Sequence, residues 1–398
     1  MTQKVRLGII GIGNMGCTHA AYIRDGKCPR LQIAAICDTN PSRLAWAKEQ
    51  GYGDVTYFDD AYSMLDSGLI DACLIAVPHY DHVGYAIACM ERGIHVMLEK
   101  PAGVYTAQVR QMNRVSEQHP EVVFGMMFNQ RTNCLYRKLR QLVQSGDYGQ
   151  IRRTSWIITD WFRTQAYYDS GAWRATWSGE GGGVLMNQAP HQLDLWQWIC
   201  GMPTKVHAHM QFGKWHDIEV EDDVTAYVEY ENGATGTFVA STGDVGGSNR
   251  LEIQMDKAKF LVEDGKLIME VFEMSDREFN AVNSAPYGSI RTKRTVVETD
   301  GENPQHAGVL NVWAEAILTG TPLVADGKEG IHGLTLSNAM HLSAFLGKEV
   351  TIPFDEELYY QELMKRVATS RRKETASVFV NDRDSYGFGT ARQGEKKA

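Results

Sequence analysis

The chain has 398 residues, 43% hydrophobic, 10% aromatic and 22% charged, a composition that supports two or three packed cores and excludes disorder as the dominant state. Its 40 Lys and Arg against 49 Asp and Glu leave a formal charge of -9, which disfavours nucleic-acid phosphates and anionic membranes as partners. The 7 cysteines form no CxxC pair, no apolar run nears the roughly 20 residues that span a bilayer, and MTQKVRLGIIGIGNMG enters a strand pattern without a signal-peptide layout, so a reduced, cytoplasmic protein is expected.

In chain order, Val5 to Ile10, Ile33 to Cys37, Ala72 to Val77, Val96 to Leu98 and Val122 to Phe128 read as strands apolar on both faces. Helical patterns lie between them: Pro41 to Gln50 closes on Gly51, His82 to Arg92 on Gly93, and Thr106 to Gln118 precedes Pro120. This alternation predicts a doubly wound parallel sheet over residues 1–128. After a helix over Leu135 to Ser145 the texture turns to hairpins. Asn232-Gly233 between Val224 to Tyr230 and Thr235 to Val239, and Asp264-Gly265 between Lys259 to Val262 and Leu267 to Val271, read as two-residue turns. Residues 129–384 are therefore expected to form an α+β domain on a large, mainly antiparallel sheet. Late helices are expected over Val309 to Leu318 and Gly330 to Leu346, and residues 385–398 read as either a flexible tail or an oligomer arm.

Gly11-Ile12-Gly13-Asn14-Met15-Gly16 is a GxGxxG run between the first strand and a helix, with Asp38 closing the second strand. Gly11 permits the tight turn, Gly13 lets amides approach a pyrophosphate, and Gly16 allows close helix packing. Asp38 suits the ribose hydroxyls and repels a 2′-phosphate, so NAD is expected over NADP, with Arg43 leaving room for dual use. Ala76-Val77-Pro78-His79 and Glu99-Lys100-Pro101 lie at strand carboxyl ends, where such a sheet binds its ligand. Lys100 there is either a catalytic group or the ion-pair partner of Glu99.

Further on, Gly181-Gly182-Gly183 leads to Asn187, His191 and Asp194, spaced to share one face of a helix starting near Asn187. Asn187 is either its N-cap or a site residue, and His191 resembles a base with Asp194 one turn on as its orienting acid. Aromatic and basic side chains at Trp161, Arg163, Tyr168, Trp173 and Arg174 suit sugar C–H faces and hydroxyls, or else form a core cluster. His207 and His209 share a strand face, but without a third ligand no metal is expected.

In this order the motifs resemble the Gfo/Idh/MocA family, and the resemblance runs from about Val5 to Ser370. It implies an α/β protein with an N-terminal Rossmann domain and a C-terminal open sheet, assembled as a homodimer or homotetramer. It also implies an NAD-dependent dehydrogenase acting on a secondary hydroxyl of a sugar, glycoside or cyclitol. By that likeness Lys100, His191 and Asn187 form the catalytic set, with either Lys100 or His191 as the base. The cofactor set is Gly11, Gly13, Asn14, Met15, Gly16, Asp38, Arg43, Pro78, His79, His82, Glu99, Lys100 and Gln130. The substrate set is Trp161, Arg163, Tyr168, Trp173, Asn187 and Asp194. Asn187, where many members carry Asp, resembles a branch that oxidises the 3-hydroxyl of glycosides. Transient oxidation by an NAD-dependent glycosidase or epimerase, and a dinucleotide-binding regulator, are the alternative functions.

Overall fold

The structure is a computed structural model, and it describes residues 3–371. The segment 385–398 lies outside the described residues. Six parallel strands form the first sheet: β1 (Val5–Ile10), β2 (Leu31–Cys37), β3 (Thr56–Phe58), β4 (Ala72–Ile75), β5 (His95–Leu98) and β6 (Phe124–Met126). Their order, β3-β2-β1-β4-β5-β6, reverses between β1 and β4, which opens a crevice at the carboxyl ends of those strands. Five of these strands follow the apolar runs of the sequence. The sixth, β3, lies outside the expected strands: its three residues are strand-favouring in type but too few to show a period, and none is fully buried.

Nine strands form the second sheet: β7 (Ile151–Ile158), β8 (Lys205–Phe212), β9 (Glu221–Glu229), β10 (Thr235–Ser241), β11 (Asn249–Met255), β12 (Ala258–Glu263), β13 (Lys266–Phe272), β14 (Thr292–Val296) and β15 (Val350–Thr351). The order is β14-β13-β12-β11-β7-β10-β9-β8-β15. Every pairing is antiparallel except β7 with β10, so the sheet is mixed but mainly antiparallel. Asp264 and Gly265 both have positive φ (48° and 68°), the two-residue hairpin turn that their sequence predicts. The other hairpin departs from expectation by one residue. Tyr230 N–H donates to Ala234 C=O at 2.9 Å, leaving a three-residue loop that closes on Gly233 at φ 81°.

Helices Pro190–Cys200 and Gly330–Leu346 pack on one face of this second sheet. The core beneath them is aromatic: Trp196 stacks on Phe238 at 5.4 Å, and Trp156 meets Phe238 edge-on at 6.4 Å. The simple division at residue 128 needs a correction. Helix Gln305–Thr319 returns to the first sheet and buries Val309, Leu310, Trp313 and Ala314 with Leu7, Ile9 and Leu74. Each large apolar side chain so buried stabilises by about 1.5–3 kcal/mol, so this helix belongs to the core of the first sheet despite its place in the chain.

Candidate active site

A cleft of about 350 Å³ lies at the carboxyl ends of β1, β4 and β5. Gly11, Gly13, Asn14, Met15, Asp38, Arg43, Pro78, His79, His82, Glu99, Lys100, Trp173 and Asn187 all line it. At Gly11 φ is 88° and a Cβ would sit 2.4 Å from the Ala76 carbonyl, while one at Gly16 would sit 1.9 Å from the Gly11 carbonyl. These two glycines are demanded by close backbone approach. A Cβ at Gly13 would meet nothing within 4 Å, so that position faces the open cleft. Helix Asn14–Arg24 begins there with neither a side-chain cap nor an acid in its first turn, which leaves its amides and the positive end of its dipole for an anion. The Asp38 carboxylate is fixed by two main-chain donors: Oδ2 accepts Ile12 N–H at 2.9 Å and Oδ1 accepts Asn40 N–H at 2.8 Å. Each oxygen keeps a lone pair for a ribose hydroxyl, so open cradle and fixed carboxylate together fit a dinucleotide.

Asp38→Ala is expected to lower the NAD to NADP ratio of kcat/KM about ten- to hundredfold, the worth of a hydrogen bond to a charged group. Steady-state rates with the two dinucleotides check this. An unchanged ratio would remove Asp38 from cofactor choice.

At the other end of the cleft, Lys100 follows β5 and its ammonium donates to the Asn187 carbonyl at 2.8 Å. Burial lowers its pKa against the opposing pull of Glu99. Burial also works to raise Glu99, but the hydrogen bond and charge of His19 outweigh it and bring the carboxyl down to about 2. His82 ties the ends of β4 and β5 together, with Nδ1 2.7 Å from the Pro101 carbonyl and Nε2 2.8 Å from that of Val77. His79 lies 3.0 Å from the Glu180 carbonyl, and burial, then His82 and Lys100, push its pKa well down.

The wall facing Lys100 is built by the glycine run. A Cβ at Gly183 would sit 2.0 Å from the Glu221 carbonyl. The Glu221 carboxylate accepts the N–H groups of Gly183 and Leu185 at 2.8 and 3.0 Å, capping the short helix Val184–Asn187. Asn187 therefore ends a helix rather than opening one, which corrects the N-cap reading. Its main chain meets Lys100, its amide donates to Glu180, and its side-chain oxygen lies 3.5 Å from the Tyr167 hydroxyl. His191, in the first turn of Pro190–Cys200, is half-buried and edge-on to Phe128 at 6.4 Å. Its Nδ1 is buried and has no hydrogen-bond partner among the described residues, and burial, then Lys100, push its pKa well below the usual histidine range.

Several expected residues do not line the cleft. Asp194 does not orient His191: its carboxylate meets Arg131 at 2.8 and 2.6 Å, buried with it, because an interior carboxylate pairs with the nearest guanidinium. The Tyr168 hydroxyl pairs with Thr242 at 2.7 Å inside the core. Gln130 donates to Gln305 at 3.1 Å and does not line the cleft. Trp161 packs half-buried against the core, and Arg163 lies over the Tyr167 ring at 5.1 Å.

Sequence reasoning missed Tyr167 and Glu180. The Tyr167 hydroxyl accepts from Arg174 at 2.7 Å and from Gln188 at 3.1 Å, and the Arg174 guanidinium lies over the rings of Tyr167 and Trp173. Glu180 accepts from the Ala175 N–H at 2.6 Å and from Asn187, and its pKa is raised by burial. Two adjacent tyrosines on the five-residue helix Gln165–Asp169 give no periodicity to say which one meets Arg174 and Asn187. The His207 and His209 rings stack at 5.1 Å, and no group of three ligands that could hold a metal occurs among the described residues.

Comparison with known proteins agrees with this architecture. Residues 5–126 match the oxidoreductase family with an NAD-binding Rossmann fold, and residues 136–261 match the GFO/IDH/MocA C-terminal domain. D-glucoside 3-dehydrogenase of Escherichia coli (strain K12) is 29% identical over 252 residues, 58% of this chain and 68% of that protein. Myo-inositol 2-dehydrogenase of Thermotoga maritima is 22% identical over 346 residues, 84% of this chain and 95% of that protein. The WlbA dehydrogenase of Bordetella pertussis, solved with NADH and UDP-GlcNAcA, superposes with a TM-score of 0.74 at 25% identity, covering 89% of this chain and 99% of that one. Levoglucosan dehydrogenase, solved with NADH and levoglucosan, shares the fold with a TM-score of 0.71 at 23% identity, covering 88% of this chain and 100% of that one. With the cradle, the fixed acid of β2 and both family domains in place, the chain belongs to the Gfo/Idh/MocA family of NAD(P)-dependent oxidoreductases.

Proposed function

We propose that this oxidoreductase oxidises a secondary hydroxyl of a sugar, glycoside or cyclitol with NAD, and that its preferred site is the 3-hydroxyl of a glucoside. The observation that carries the reading is the Lys100 ammonium, held at a sheet end on the Asn187 carbonyl with His191 in its field. NAD, when bound, supplies the two-electron acceptor for the hydrogen on the carbinol carbon. Lys100 donates a hydrogen bond to the carbinol oxygen and stabilises its developing negative charge. His191, kept neutral by burial, takes the hydroxyl proton; the lowered pKa of Lys100 makes it the competing base. Asn187 orients a hydroxyl and accepts no proton, because a carboxamide has no basic site. Trp173 covers an apolar sugar face, and Arg174 with Tyr167 fixes hydroxyls beside it.

The similarity to D-glucoside 3-dehydrogenase supports the glucoside form of this reading, and that to myo-inositol 2-dehydrogenase supports the broader cyclitol form. The test is NADH formation across O- and C-glucosides, free hexoses, hexuronates and inositols, with the product ketone located by NMR. Turnover of glucosides to a 3-ketone is the expected result. A ketone at another carbon, or turnover of inositols alone, would overturn the 3-hydroxyl assignment while leaving the dehydrogenase.

A further inference from the structure

Helix Asn14–Arg24, whose first turn forms the anion cradle, also carries a histidine that the reaction above does not use. His19 is fully buried, and its Nε2 lies 2.6 Å from Oε1 of Glu99. The other oxygen of Glu99 accepts the main-chain N–H of Lys100 at 3.1 Å. One carboxylate therefore joins the helix of the cradle to the strand end that presents Lys100, and the same carboxylate lines the cleft. A buried acid tends to take up a proton unless a donor holds its charge. His19 is that donor, and a contact of 2.6 Å is short even for a charge-assisted hydrogen bond. The His19 ring stands edge-on to His306 at 5.5 Å, and His306 in turn stacks on Tyr22 at 6.4 Å. Burial first, and His19 second, push the His306 pKa down to about 4, so His306 brings no competing charge.

We propose that His19 and Glu99 select the oxidation state of the bound dinucleotide: the ionised Glu99 beside Lys100 favours the positively charged nicotinamide of NAD+ over the uncharged ring of NADH. His19 is a positioning residue, acting through Glu99 and touching no reacting atom. Removing the carboxylate charge takes away the strongest of the negative charges acting on the Lys100 ammonium, Glu180 remaining, and the added repulsion falls on the oxidised form alone. For unit charges several ångströms apart at an effective dielectric near 20, this shifts the ratio of the two affinities by roughly tenfold. The assignment rests on dinucleotide binding and not on the identity of the alcohol, so its test contains no carbohydrate.

The test titrates NADH by fluorescence and NAD+ by competition, at pH 7.5, in the wild type, Glu99→Gln, His19→Gln and the double variant. Glu99→Gln keeps the shape and an acceptor for the Lys100 N–H, so the Kd for NAD+ rises roughly tenfold while that for NADH changes less than about threefold. His19→Gln shifts the ratio in the same direction, and the double variant adds little, because both act through one charge. Equal weakening of both forms marks a merely structural role and overturns the proposal, as does an unchanged ratio in Glu99→Gln. If His19→Gln does not fold, the Glu99→Gln ratio decides alone. A wild-type protein that binds neither form overturns both this inference and the dehydrogenase reading.

Discussion

Lys100→Met is expected to lower kcat about a thousandfold and, with the ammonium's repulsion gone, to leave NAD+ binding no weaker than in the wild type. Methionine keeps the unbranched stem, and the neighbouring pairs of Glu99 with His19 and with the Lys100 main chain do not involve the ammonium. What disappears is the one N–H donor that the strand end aims at the Asn187 carbonyl and, on the proposed reading, at the reacting oxygen. His191→Asn is expected to lose less, about a hundredfold, if the ammonium continues to stabilise the oxygen while bulk water takes the proton. Single-turnover NADH formation, with dinucleotide affinity measured separately, separates chemistry from binding. A Lys100→Met protein with kcat within tenfold of wild type would remove Lys100 from the reaction.

Arg131→Met is expected to destabilise the fold by about 3–5 kcal/mol without touching the cleft. The Arg131 guanidinium is buried against Phe128 and Trp198, meets both oxygens of Asp194, and donates to Glu329 at 2.6 Å. Methionine fills part of the same volume but leaves Asp194 as an interior charge with no cation. Glu329 reaches solvent and tolerates the loss. The thermal midpoint should fall by roughly 5–10 °C, and Arg131→Met with Asp194→Leu should recover most of it, because the cost lies in the stranded carboxylate. A single variant as stable as the wild type would mean that water or a local shift already solvates Asp194.

The cofactor half of the cleft was legible in the sequence because its constraints are local. Gly11 is demanded by its own positive φ, Gly16 by the Gly11 carbonyl five residues back, and Asp38 is held by the Asn40 N–H two residues on. The substrate half was less legible, because its side chains are placed by long-range packing. Asp194 sits one turn beyond His191 and looked like its partner, yet Arg131, on a different element, claims it. Tyr167 and Tyr168 are adjacent, and only the packing of a short helix against Thr242 distinguishes them. Glu180 stands directly before the glycine run and belongs to no motif of its own. The same limit applies to the fold: both hairpins and five of the six parallel strands follow their apolar pattern, whereas β3 pairs beside β2 with too few residues to announce a period.

The return of helix Gln305–Thr319 to the first sheet also sets a schedule for biosynthesis. A ribosome completes the strands of the first sheet at Met126, but the apolar face that awaits Trp313 stays open until roughly 190 further residues have emerged. At about 5–20 residues per second that delay is roughly ten to forty seconds. For that interval the nascent chain carries a greasy, unshielded surface, the kind of site that chaperones occupy, and a message truncated anywhere before the return helix yields a Rossmann half without Val309, Leu310, Trp313 and Ala314 to cover it.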